Sequence, residues 1–133
     1  KAVLMAAGAA AKLQMEGQLN LKEEQEIIMN VSDMLLDTFV AESLLLRVEK
    51  LSQMSDKPQS QDLYDHILKV YFTDATARIH KSGTDALVSF AEGDLLRTML
   101  MGLKRFTKYT PTNVKVARRA IADRLIEANE YCF

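Results

Sequence analysis

His66 and Lys69 stand three residues apart in the stretch YDHILKVYF (64–72), an imidazole and an ammonium on what reads as one face of an amphipathic helix. That pairing suits phosphotransfer through histidine. An imidazole that takes a phosphoryl group from a partner's aspartyl phosphate must be exposed, with small residues beside it. Glycine ordinarily follows the lysine in such a site; here Val70 does, and Tyr71 and Phe72 come next. Their bulk obstructs the approach. The plainer reading is packing, with Leu63, Ile67, Val70 and Tyr71 facing a bundle and His66 at its edge.

Other chemistry has little to draw on. A di-iron bundle needs inward glutamates and two E-x-x-H pairs, but the residues three before His66 and His80 are Leu63 and Ala77. There is no C-x-x-C zinc arrangement, no Gly-rich phosphate loop and no G-x-S-x-G elbow. Two histidines and one cysteine give a nucleophilic triad almost no material. No catalytic, cofactor-binding or metal-ligating residue is assigned. The distinctive surface feature is KRFTKYTPTNVKVARR (104–119), which interleaves Phe106 and Tyr109 with Lys104, Arg105, Lys108, Lys115, Arg118 and Arg119. These six cations are the candidate interaction surface. They could meet an acidic partner, the acid-rich helix of the same molecule, or lipid headgroups, near which each cation contributes about 1 kcal/mol. The bland alternative is a solvated turn between two helices. The seven methionines, Met99 and Met101 among them, would suit a soft apolar groove, or simply fill the core.

The chain that must position these residues is one domain's worth, 133 residues with 48% apolar content, few glycines and two prolines. Abundant Leu and Met with no Trp favour helix over sheet. The lone Cys132 cannot form an internal disulfide, which points to the cytoplasm or another reducing compartment. No apolar run reaches the eighteen or so residues of a membrane span. The opening KAVLMAAGAAAKL raises the question of a secretory leader, but Met15, Glu16 and a continuing helical pattern argue against cleavage. A first residue other than Met hints at a piece of a longer chain. Net charge is −1 and unevenly spread, basic from Leu95 to Ala122 and acid-rich from Glu16 to Asp65. A bipolar molecule of this kind is a poor nucleic-acid binder.

Five helices are expected, in an all-α, antiparallel up-and-down bundle that forms a single domain over 1–133. The first, about 2–16, places Val3, Leu4, Ala7, Ala10 and Ala11 at helical spacing and stops at Gly17. Asn20, with Glu23 three residues on, reads as the cap of a long second helix to about 54. Ile27, Val31, Met34, Thr38, Ala41, Leu45 and Val48 form its seam, and Ile28, Leu35, Phe39 and Leu46 a second stripe, which predicts packing on two neighbours. A loop at 56–59 and Ser60 as cap introduce a third helix, about 61–82, which Ser82-Gly83 closes. Residues 84–91 are ambiguous. A fourth helix runs from Asp94 to about Lys108, with Leu95, Leu96, Met99, Leu100, Leu103 and Phe106 on its apolar side. Thr110-Pro111 reads as the start of the last, whose core face is Val114, Ala117, Ile121, Leu125 and Ala128.

Two stretches, LKEEQEIIMNVSDMLLDTFVAESLLLR (21–47) and LYDHILKVYFTDATARI (63–79), together resemble the C-terminal helical extension of very-long-chain-type acyl-CoA dehydrogenases. Glu23-Glu24-Gln25 and 62–79 carry most of the likeness, which runs in order along nearly the whole chain. The extra helix at 94–108 is more similar to a bacterial form of the extension than to the mitochondrial one. The resemblance implies a non-catalytic interaction or dimerisation domain of an FAD-dependent oxidoreductase of fatty-acid β-oxidation. The catalytic glutamate and the flavin and CoA contacts would lie upstream, so no residue here inherits them. FAD would belong to the full-length enzyme. The implied partners are the upstream catalytic domains, a second copy in a homodimer, and an anionic membrane face to which a cytoplasmic enzyme could be peripheral. A free-standing helical adaptor or histidine phosphotransfer module is the alternative, and a small enzyme in its own right a third reading whose chemistry cannot be located.

Overall fold

The computed structural model describes residues 1–54 and 61–130, and they carry five helices with no strand among them: α1 (Ala2–Met15), α2 (Gln25–Gln53), α3 (Gln61–Phe90), α4 (Gly93–Phe106) and α5 (Lys115–Ala128). The all-α helical bundle expected from the sequence is what forms. The expected loop at 56–59, the Ser60 cap and Cys132 lie outside the described residues.

The chain divides into two compact units. The first holds 1–39 and 76–109; the second holds 40–75 and 110–133. In the first, Ala2 and Ala6 of α1, Met34 of α2, Leu87 of α3 and Leu103 of α4 make a fully enclosed cluster. Val31, Ile79, Leu96, Met99 and Leu100 pack around it. α1 lies on α4, and it presents alanine where a large residue would hold the two helices apart. The Leu4 side of α1, part of the expected face, points outward instead, and Ala2, Ala6 and Ala10 are the buried row. In the second unit Val48 of α2, Ala75 of α3 and Ala117 of α5 are buried.

Three boundaries correct the sequence reading. Gly83 does not close α3, which continues to Phe90. A Cβ at position 83 would stand 2.7 Å from Leu103 Cδ1 and 3.1 Å from Met34 Cε. This glycine therefore serves packing rather than a turn. Asn20 does not cap α2: its carbonyl accepts from the Glu23 amide and its side chain from the Lys22 amide, at 2.9 and 3.3 Å, which closes a separate turn before α2 begins at Gln25. Thr110-Pro111 does not open α5. The Lys115 amide donates to Asn113 Oδ1 at 3.0 Å, and the helix starts there. Gly17 and Gly93, at φ of +71° and +57°, do end and begin helices, because that backbone strains any side chain.

The two stripes of α2 also part company. Ile27, Met34 and Val48 of the seam are buried, while Thr38 and Leu45 are exposed. The second stripe is not packed within this chain: Ile28, Leu35 and Phe39 are 47%, 58% and 65% exposed, and Leu46 is exposed too. On α4 and α5 the expected core faces hold at Leu103 and Ala117, but Leu95, Phe106 and Leu125 are exposed.

Candidate interaction surface

The six basic residues fall into two groups. Lys104 and Arg105 occupy the last turn of α4 and Lys108 follows it, all in the first unit. Lys115, Arg118 and Arg119 begin α5, in the second. In the second unit Arg118 is committed: its guanidinium nitrogen donates to both carboxylate oxygens of Asp74 on α3, each at 2.8 Å. Both partners are well exposed, so the pair adds at most about 1 kcal/mol.

In the first unit, Lys104, Arg105 and Lys108 border an open groove of about 600 Å³ between α3 and α4. They are exposed, and none is in an ion pair among the described residues. Their place at a helix C-terminus is electrostatically sound, since last-turn cations oppose the negative end of the helix dipole. The floor and walls come from Thr76, Ala77 and His80 of α3, Met101 of α4, and the Thr107 and Tyr109 that follow. The exposed lining is mainly apolar, and no carboxylate contributes to it.

A hydrogen-bond chain fixes one wall. The buried Thr107 hydroxyl donates to the Leu103 carbonyl at 2.8 Å, which uses its single proton. Towards His80 Nδ1, 2.8 Å away, the same oxygen can only accept. His80 Nδ1 is thereby the donor of this bond, which ties the ring to the end of α4. On the opposite face of α3, Arg78 Nε and Nη2 clamp the Asp37 carboxylate of α2 at 2.6–3.2 Å. These contacts join residues 27 and 41 positions apart. Nothing in local spacing marks them, and sequence reasoning singled out His66 rather than His80.

His66 itself is half-buried on α3, and its Nδ1 finds no hydrogen-bond partner among the described residues. Leu63, Ile67, Val70 and Tyr71 are half-buried beside it. A ring so placed does not offer the open approach that phosphotransfer needs. Among the described residues no three His, Cys, Asp or Glu side chains converge as a metal site, and no helix is long and apolar enough to cross a membrane.

Comparison with known proteins gives concordant matches. Residues 1–105 match the family model described as acyl-CoA dehydrogenase, C-terminal domain. A probable acyl-CoA dehydrogenase of Bacillus subtilis (strain 168) is 36% identical over 133 residues, covering 98% of this chain and 21% of that protein. The crystal structure of an acyl-CoA dehydrogenase complexed with FAD from Bacillus anthracis superposes with a TM-score of 0.89 at 30% identity, over 99% of this chain and 22% of that one. This chain thus spans about a fifth of the length of either relative.

Proposed function

Since this chain belongs to the acyl-CoA dehydrogenase C-terminal domain family, we propose that it is the non-catalytic interaction domain of a longer, FAD-dependent acyl-CoA dehydrogenase. In that reading the upstream part of the polypeptide oxidises an acyl-CoA thioester. The 133 residues here, one domain of that polypeptide, pack against the catalytic body or a dimer mate.

The observation that carries the proposal is the unpacked face of α2. Ile28, Leu35 and Phe39 follow spacings of seven and four, the seam of a helix that meets another element. A row of this kind left in water forfeits about 25 cal/mol for each Å² of apolar surface a neighbour would cover. Replacing Phe39 by Asp in the full-length enzyme tests it, because an exposed position tolerates the change within this domain. Weakened dimerisation in sedimentation, or loss of bound flavin with the fold of the chain intact, is the expected outcome. An F39D enzyme that sediments and retains flavin like the parent would rule out docking through this face.

No residue of this chain is assigned to the flavin. A cytoplasmic enzyme that touches the anionic face of a membrane is the second reading. Lys104, Arg105 and Lys108, none in an ion pair among the described residues, favour it. Vesicle binding that is absent, or unaltered when all three become Ala, would remove it.

A further inference from the structure

We propose that the groove between α3 and α4 is a discrete binding site for one amphiphilic phosphate, a phosphate monoester head carrying an apolar chain. The inference stands apart from the role of α2 and would survive its failure. Three features carry it.

The first is charge. Lys104, Arg105 and Lys108 all line the groove, and no acidic side chain is among the residues that line it. Three cations lining one groove, none in an ion pair among the described residues, repel one another, and an anion bound there relieves them. Arg and Lys both donate charge-assisted hydrogen bonds to phosphate oxygens.

The second is the lining. The exposed lining is mainly apolar, Met101, Ala77 and Tyr109 are among the lining residues, and Met101 is 60% exposed. A bare inorganic anion would leave that surface wet. An apolar chain attached to the head would cover it, and the pliable thioether adapts to chains of different shape. At about 600 Å³ the groove is within the range of small-molecule sites and holds one ligand rather than a protein segment.

The third is preorganisation. The bond from His80 Nδ1 to the buried Thr107 hydroxyl fastens the α3 wall to the end of α4. The wall stands before any ligand arrives, and little ordering remains for the ligand to drive.

A soluble phosphorylated amphiphile and a phospholipid headgroup share this chemistry, and the test separates them. Decyl phosphate, kept below its micellar concentration, is titrated calorimetrically into the full-length enzyme and into its K104A/R105A/K108A variant. Inorganic phosphate and decanol serve as separate probes. The expected result is a saturable site, one per chain, that the triple variant weakens by about tenfold or more. A second variant, Met101→Gln, which makes the lining polar without adding charge, is expected to weaken decyl phosphate while sparing inorganic phosphate. Both changes are at exposed positions, and an unchanged thermal melt verifies the fold. Inorganic phosphate binding as tightly as decyl phosphate would overturn the proposal, because the apolar floor would then contribute nothing. Binding to vesicles containing phosphatidic acid, with none to the monomer, would also overturn it and leave a flat membrane contact. Decyl phosphate affinity equal in the triple variant and the parent would place the ligand elsewhere.

Discussion

Gly83 shows how one missing side chain ties three helices together. The space its Cβ would fill is taken by Leu103 and Met34, both fully buried. Valine there is expected to destabilise the 133-residue chain by about 3 kcal/mol in urea denaturation, through overpacking and a stiff branched side chain. Leu103→Ala alone should cost about 2–5 kcal/mol. Combined with Gly83→Val it should cost less than the sum, since each change makes room for the other. Additive losses would mean that the two positions are not in contact. Thr107 is a smaller case. Val in its place keeps the shape but removes the acceptor for His80, and a loss of about 1 kcal/mol is expected in the same assay. Gly17 and Gly83 look alike in the sequence, each following a helical run. Only Gly17 adopts positive φ, and what separates them is Leu103, twenty residues further on, which no local pattern contains.

At the scale of the element, periodicity located all five helices, and their ends were the harder matter. Helix ends depend on which backbone amides find a partner. At α5 the partner is Asn113, two residues beyond the Thr-Pro pair that looked like a better start. Asn113→Ala should therefore loosen the first turn of α5 and lower stability by about 1 kcal/mol, whereas Thr110→Ala should change little. Equal effects from the two would contradict this start site. The second stripe of α2 was read as apolar and as facing a neighbour, and within this chain it stays exposed. Composition marks a face that wants a neighbour, but not whether the neighbour is in the same 133 residues. The groove was half legible: Lys104, Arg105 and Lys108 were chosen from sequence, but Thr76, Ala77 and His80 come from another helix, and only the fold sets them opposite one another.

For the molecule as a whole, the scarcity of fully enclosed large side chains is telling. Among the described residues only Ile27, Met34, Leu87 and Leu103 are large and almost completely removed from water. Ion pairs do not make up the difference. Arg118→Ala, which breaks the exposed contact with Asp74, should shift stability by less than about 1 kcal/mol in urea, and less still in high salt. A loss of several kcal/mol would show that this pair is structural after all. The helical reading came from patterns along the whole chain, and the family match places it among acyl-CoA dehydrogenase C-terminal domains.

The alanine face of α1 has a further consequence. Ala2, Ala6 and Ala10 let the helix lie close to α4, yet each contributes a single methyl group to the contact. Val3 and Met5 add side chains to the cluster, with Met5 against Gly102 of α4, but the fully buried row of α1 is alanine, and a helix that buries so little apolar area is the least costly to release. Hydrogen–deuterium exchange should show this as a ranked opening: the α1 amides exchange first, by local detachment, while those flanking Leu87 and Leu103 wait for global unfolding.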